Sequence, residues 1–88
     1  MKETKWIWKN GKLIDWNQAT THVLSHGLHY GSAVFEGIRA YETPKGPAIF
    51  KVKEHYDRLI NSAKLYKFNV PFTSEELIDA TKNLIIKN

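Results

Sequence analysis

Residues 22–41 are the most informative part of the sequence, because a loop of polar aromatic residues leads there into a strand whose two faces differ in chemistry. A period of two sends Phe35, Gly37 and Arg39 to one face of a strand and the intervening residues to the other. One face therefore offers an aromatic wall, a gap without a side chain and a cation. Such a face can line a small-molecule pocket, which is mostly apolar with a few placed polar groups. The alternative is a half-exposed strand that carries a solvated arginine.

Two β-hairpins are predicted in the first 52 residues. Asn10-Gly11 between apolar runs predicts an opening hairpin, since both turn residues accept positive φ. A strand over residues 32–41 is expected to pair antiparallel with a strand over residues 48–52, across a turn rich in proline and glycine. The residues between 15 and 31 show little periodicity and predict an irregular segment.

Two helices are predicted in the remaining part of the chain. The hydrophobic period changes to three and four after residue 52, which predicts a helix from about Lys53 to Tyr66. Thr73 and Glu76 form a capping-box pattern, in which hydroxyl and carboxylate satisfy each other's free backbone amides, so a second helix begins there. The predicted class is α+β, an antiparallel sheet with helices packed to one side.

The composition argues against several classes of protein. With 42% hydrophobic and 25% charged residues, the 88-residue chain suits one small globular domain rather than a disordered segment. No apolar run reaches membrane-crossing length and the first residues do not look like a secretory signal, so a cytoplasmic location without a membrane partner is expected. The lysines are scattered, which argues against nucleic acid as a partner. Without cysteine, disulfides and thiolate chemistry are excluded.

Arginine occurs at only two positions, Arg39 and Arg58, whereas lysine is used throughout the chain. The planar guanidinium grips a carboxylate or a phosphate through two bonds, which the mobile lysine ammonium does not do. A sequence that otherwise uses lysine thus marks these two positions as candidate anion sites. The alternative is that two arginines occur by chance.

Two further groups of polar residues are given no catalytic role. His22, His26 and His29 are spaced so that three imidazoles can converge on zinc, but no acidic or cysteine ligand accompanies them nearby. No metal site is therefore predicted. Glu36 falls on the face opposite Phe35, so a general acid or base role is not expected for it.

Two runs of the sequence form long composite motifs, HGLHYGSAVFEGIRAY and KGPAIFKVKEHYDRLINSAKLY. On these motifs the chain resembles the amino-terminal part of the branched-chain amino acid aminotransferases, which are pyridoxal-phosphate enzymes of fold type IV. The likeness includes the opening W-I-W-x-N-G hairpin, and D-amino-acid aminotransferases and aminodeoxychorismate lyases look different across VFEGIR. The resemblance implies that residues 1–88 belong to a small amino-terminal domain, with the large catalytic domain outside this chain.

The resemblance implies a role for five residues. Arg58 matches the arginine that binds the cofactor phosphate. Phe35 matches a wall of the pocket for the branched side chain, and Gly37 matches a position near the substrate. Tyr30 matches a tyrosine that reaches across a dimer interface into the neighbouring pocket. Arg39 matches the EGIR arginine, which is expected to hold the polar end of the substrate pocket.

These assignments have structural alternatives. Arg58 would otherwise be an exposed helix arginine paired with Glu54, an interaction of only ~0.3–0.5 kcal/mol. Phe35 would be an ordinary core residue, and Gly37 would mark a bulge or twist without a ligand role. Tyr30 would be a structural tyrosine whose hydroxyl binds a backbone carbonyl.

The implied activity of the intact protein is transfer of the amino group of leucine, isoleucine or valine to 2-oxoglutarate through pyridoxal 5'-phosphate, in a homodimer or larger assembly. None of the lysines here matches the family lysine that binds the cofactor covalently, so no catalytic residue is assigned and the chain alone is not expected to transaminate. The alternatives are a fold type IV transaminase for D-amino acids or amines, a non-catalytic interaction or assembly module, and a partly folded fragment.

Overall fold

Two β-hairpins precede two long helices in the computed structural model, which describes residues 2–88. The elements in chain order are β1 (Trp6–Lys9), β2 (Lys12–Asp15), a 3₁₀ turn (Trp16–Gln18), α1 (His26–Tyr30), β3 (Ala40–Thr43), β4 (Gly46–Ile49), α2 (Val52–Leu65) and α3 (Ser74–Lys87). The predicted α+β class is confirmed, although the strands form two separate two-stranded antiparallel sheets. Between residues 2 and 88, no helix has both the length and the apolar character needed to cross a membrane.

The opening hairpin is confirmed with the turn that the sequence predicts. Asn10 and Gly11 have φ angles of 51° and 90°, so both turn residues take the left-handed conformation. Strand β1 then pairs with β2 in the register that places Trp6 opposite Asp15. The segment after this hairpin is less irregular than predicted, because it contains the 3₁₀ turn and the five-residue helix α1.

The second hairpin is confirmed, but the predicted bounds of its strands are wrong. Strands β3 and β4 pair from Ala40 opposite Ile49 to Thr43 opposite Gly46, which leaves a two-residue turn. The returning strand cannot continue to residue 52, because Lys51 has a φ of 49° and caps the start of α2.

Residues 31–39 form no strand, which corrects the prediction for the segment that holds Phe35 and Gly37. A strand needs a ladder partner as well as its own pattern, and within residues 2–88 the backbone of this stretch meets another segment only where the Arg39 carbonyl accepts a hydrogen bond from the Phe50 amide. The alternation itself is confirmed in the burial of the side chains. Exposed and half-buried residues alternate from Ser32 to Arg39, so Phe35, Gly37 and Arg39 are exposed and the residues between them are half-buried.

Both long helices are confirmed. Helix α2 ends in a Schellman motif, in which the amides of Lys67 and Phe68 donate to the carbonyls of Lys64 and Ala63. Lys67 takes the left-handed position of that motif, with a φ of 60°. The core is thin, with only Ala63 and Leu77 buried among the hydrophobic residues described, at 1% and 8% exposure.

Helix α3 begins at the predicted capping box. The amide of Glu76 donates to Thr73 Oγ1 at 3.1 Å, and the amide of Thr73 donates to Glu76 Oε1 at 3.0 Å. This helix packs against both α2 and β1. Trp8 of β1 meets Phe72 edge to face, with ring centroids 5.1 Å apart. Because α3 contacts both elements, it links α2, the helix that carries Arg58, to the first hairpin.

Candidate functional site

Arg58 of α2 and Glu36 of the loop before β3 form an ion pair with two hydrogen bonds. Arg58 Nε donates to Glu36 Oε2 at 2.7 Å, and Arg58 Nη2 donates to Glu36 Oε1 at 2.6 Å. This is the bidentate pairing of a guanidinium edge with a carboxylate. The alternative partner considered for Arg58, Glu54, is therefore wrong, because the arginine reaches back 22 residues instead of one helical turn.

His55 holds the same carboxylate from the preceding turn of α2. Its Nδ1 lies 2.8 Å from Glu36 Oε1. The hydrogen bonds from Arg58 and His55 lower the pKa of the Glu36 carboxyl from its ordinary 4.5 to about 2. Glu36 is thus an anion that only accepts hydrogen bonds, and His55 Nδ1 must carry the hydrogen that it donates. The Nη2 group of Arg58, 3.5 Å from this nitrogen, faces another donor and makes no bond to it.

The alternating exposure of residues 32–39, called the alternating segment below, explains how Glu36 reaches α2. Its side chain lies on the half-buried face with Val34 and Ile38 and is only 9% exposed. A carboxylate on an apolar face needs a charged or hydrogen-bonded partner, because burying an unpaired charge is costly. Sequence reasoning missed Glu36 and His55 as parts of the site. The signal was present, since Glu36 is the one acid between apolar residues on that face.

Arg58 keeps part of its guanidinium free. Its Nε and one Nη2 hydrogen are used by Glu36, and Nη1 donates to no atom of residues 2–88. The side chain is 66% exposed and borders a cavity of about 310 Å³ that Lys51, Glu54 and His55 also line. Lys51 and Arg58 bring two permanent cations to this cavity and Glu54 brings one acid, so the lining keeps a positive balance that suits the phosphate group of a cofactor. The residues present therefore fit the phosphate end of pyridoxal 5'-phosphate.

The residues assigned to substrate lie on the open face of the alternating segment. Phe35 is 89% exposed, so the alternative of an ordinary core residue is wrong for residues 2–88. Gly37 has no atom within 4 Å of where a Cβ would stand, and its φ lies outside the left-handed region. No bulge or strained turn requires a glycine there. Arg39 is exposed, and its carbonyl accepts a hydrogen bond from the Phe50 amide at 2.9 Å.

Tyr30 is the last residue of α1 and is exposed. Its ring lies 4.9 Å from that of His26 and 4.7 Å from that of His29. Within residues 2–88 its hydroxyl makes no hydrogen bond, so the alternative of a tyrosine bound to a backbone carbonyl is not observed. Tyr30 is thus positioned by contacts within its own helix. Arg58, in contrast, is bound through Glu36 to the segment that contains Phe35 and Gly37.

The histidines of this region do not gather around a common centre. In the part of the chain that the structure describes, no three histidine, cysteine or acidic side chains lie close enough to hold a metal ion. The Nδ1 atom of His22 accepts a hydrogen bond from the Leu24 amide at 3.0 Å, which stabilises the turn before α1.

Comparison with known proteins identifies the family. Residues 33–88, more than half of the chain, match the family of amino-transferase class IV. The chain belongs to the class IV aminotransferases. The matched region of this class IV aminotransferase chain includes four of the five assigned residues, and Tyr30 lies just before it.

Curated relatives of the class IV chain are branched-chain-amino-acid aminotransferases. Those of Escherichia coli K12 and Salmonella typhimurium are 48% identical over 87 residues, which is 99% of this chain and 28% of each relative. The enzyme of Pseudomonas aeruginosa is 49% identical over 82 residues, 93% of this chain and 27% of the relative. The chain therefore spans less than a third of the length of these relatives. The resemblance to the branched-chain enzymes is confirmed.

Solved structures share the fold of the class IV chain. A T.th. branched-chain amino acid aminotransferase, complexed with N-(5'-phosphopyridoxyl)-L-glutamate, is 52% identical and superposes with a TM-score of 0.94. The comparison covers 100% of this chain and 30% of that one. The Escherichia coli enzyme gives a TM-score of 0.94 at 48% identity, over 98% of this chain and 28% of that one. The α+β arrangement of hairpins and helices is thus the one found in this family.

Proposed function

We propose that this chain is the amino-terminal part of a branched-chain amino acid aminotransferase whose large domain lies outside residues 1–88. The intact protein transfers the amino group of leucine, isoleucine or valine to 2-oxoglutarate. Support comes from relatives of that name at 48% identity, of which this chain covers 28%. A cytoplasmic location and assembly as a homodimer or larger oligomer are part of the same proposal.

The observation that carries the proposal is the half-occupied guanidinium of Arg58. One edge is fixed by Glu36, and Arg58 borders the cavity that Lys51 also lines. In this proposal Arg58 binds the phosphate of pyridoxal 5'-phosphate, and Lys51 adds positive charge beside it. When bound, the cofactor supplies the electron sink and carries the amino group between substrates. The ligand of the T.th. enzyme, which contains a phosphopyridoxyl group, supports this choice of cofactor.

The substrate end of the site is built from exposed residues. Phe35 presents an aromatic surface that discriminates by size and apolarity, and Gly37 leaves room beside the backbone. Arg39 holds the polar end of the pocket. Tyr30 is 70% exposed and its hydroxyl makes no hydrogen bond within the described residues, which suits contact with an apolar or an acidic substrate side chain in a neighbouring subunit. All four lie where groups from outside residues 1–88 can meet them.

Substrate assays of the full-length protein test the proposed reaction. The purified protein is expected to show the visible absorbance of bound pyridoxal 5'-phosphate and to convert leucine with 2-oxoglutarate faster than D-alanine or simple amines. Faster turnover of D-alanine or amines would favour another fold type IV transaminase. Neither absorbance nor turnover would favour an assembly module.

Substitution of Arg58 tests the cofactor assignment separately. Arg58→Ala removes charge-assisted hydrogen bonds of about 1.5–3 kcal/mol each, so its dissociation constant for pyridoxal 5'-phosphate should rise about tenfold or more. Lys64→Ala, which removes an exposed cation near the end of the same helix, is the matched control. An unchanged dissociation constant in Arg58→Ala would contradict the assignment.

A further inference from the structure

Glu36 binds one edge of the Arg58 guanidinium and leaves the other edge free. A guanidinium carries five hydrogens in a plane, and Glu36 takes one on Nε and one on Nη2. Three hydrogens remain, and two of them, one on Nη1 and one on Nη2, form the other edge of the fork. An arginine can therefore bind a carboxylate and a phosphate at once, each through two parallel bonds. The acid does not compete with the phosphate for the same atoms.

Glu36 is itself fixed and is suited to act as an anchor. Its side chain is 9% exposed, whereas that of Arg58 is 66% exposed. His55 binds Oε1 from the same face of α2, three residues before Arg58. The carboxylate is thus held on the half-buried face of the loop and by a second donor, so its position does not depend on the solvent-exposed arginine alone.

An exposed arginine without such an anchor samples many rotamers, and binding a ligand then requires ordering the side chain. Pre-organisation of a binding group raises affinity mainly by removing that cost. The negative charge of Glu36 acts in the opposite sense, because it repels a nearby phosphate. Because Glu36 and the phosphate would bind different edges of the fork, the acid takes no hydrogen bond from the phosphate, and the first effect is expected to exceed the repulsion.

We propose that Glu36, held by His55, is the positioning residue that fixes the guanidinium of Arg58 for binding the cofactor phosphate. This inference rests on the proposed function, in which Arg58 binds that phosphate. It assigns a role to the acid in the middle of the VFEGIR motif, a residue that need not touch substrate or cofactor. Its effect is expressed through Arg58 alone.

The test compares two forms of the cofactor on the full-length apoenzyme. Pyridoxal 5'-phosphate carries the phosphate, and pyridoxal lacks it. Glu36→Gln should raise the dissociation constant for pyridoxal 5'-phosphate about tenfold, because the guanidinium loses its charged partner and must be ordered on binding, and leave that for pyridoxal unchanged. Glu36→Asp, which keeps the charge but shortens the reach, should show a smaller loss with the same preference. Glu42→Gln, at an exposed position of β3, is the matched control.

Combination with Arg58→Ala separates this inference from the proposed function. Adding Glu36→Gln to Arg58→Ala should cause no further loss, because the anchored group is gone. An affinity for pyridoxal 5'-phosphate that is unchanged or tighter in Glu36→Gln would overturn the inference, as would equal losses for both forms. If Arg58→Ala weakens binding and Glu36→Gln does not, only the role of Glu36 fails. If Arg58→Ala has no effect, the phosphate assignment fails as well.

Discussion

The hydroxyl of Tyr56 donates its hydrogen to Thr81 Oγ1, because Thr81 donates its own to the Leu77 carbonyl 2.7 Å away. This bond joins α2 to α3 beside buried Leu77. Tyr56→Phe should lower the free energy of unfolding by about 1 kcal/mol. Thr81→Val should cost more, about 1–3 kcal/mol, since it leaves the part-buried hydroxyl of Tyr56 without an acceptor.

Urea unfolding of the chain followed by circular dichroism measures both effects. Tyr66→Phe, which removes a hydroxyl from an exposed ring, is the control and should be silent. Equal stability of Tyr56→Phe and the parent chain would show that the hydroxyl pair does not link the helices.

The Glu36 carboxyl should remain ionised in acid, because Arg58 and His55 lower its pKa to about 2. The folded-state pKa lies below the ordinary value, so the ion pair stabilises the fold above about pH 4.5. That stabilisation is lost as the pH falls toward 2. A carbon NMR titration of the side-chain carboxyl measures this pKa. Arg58→Ala should raise it more than His55→Ala, since the hydrogen bonds from Arg58 are the larger cause; the reverse order would contradict the geometry.

Gly37→Ala should leave the thermal midpoint of the full-length protein unchanged while lowering kcat/KM for leucine. A Cβ at this position meets nothing within 4 Å in residues 2–88, so a loss of activity at unchanged stability would point to contact with the substrate. Gly31→Ala provides the contrast. Gly31 caps α1 with a φ of 73°, and an alanine forced into that region costs roughly 1–2 kcal/mol. A large loss of stability in Gly37→Ala would indicate that the glycine is required by the fold and not by the ligand.

Phe35→Ala should raise KM for leucine more than KM for glutamate. The exposed ring offers an apolar surface, which contributes to binding a branched aliphatic side chain but little to binding a carboxylate. Steady-state kinetics of both half-reactions in the full-length protein give the two constants. Tyr66→Ala, at an exposed aromatic position beyond the last turn of α2, controls for the loss of surface area. Equal changes for both substrates would argue against a side-chain wall.

Elements whose causes are local could be predicted from the sequence. Asn10-Gly11 determines its own hairpin because both residues accept positive φ. Thr73 and Glu76 start α3 through bonds that span only three residues. In both cases the interactions that stabilise the element lie within a few neighbouring residues, so a short stretch of sequence is enough to predict it.

Features that depend on distant partners could be predicted only in part. The period of two correctly separated the faces of residues 32–39, yet the strand was wrong because a ladder needs a second segment. Glu36 was set aside for the same reason. Its face was predicted correctly, but its partners lie 19 and 22 residues away on α2, a distance that no local pattern encodes.

Strand β1 packs against α3, an element that is synthesised much later. The side-chain amide of Asn88 binds both backbone polar groups of Trp6, with the Trp6 amide donating at 2.9 Å and its carbonyl accepting at 3.1 Å. The hairpins and the pair of long helices join neighbouring parts of the chain and can form early, since local contacts close quickly. Strand β1 instead waits for a helix more than sixty residues later, so one face of Trp6–Lys9 stays uncovered until α3 has been synthesised.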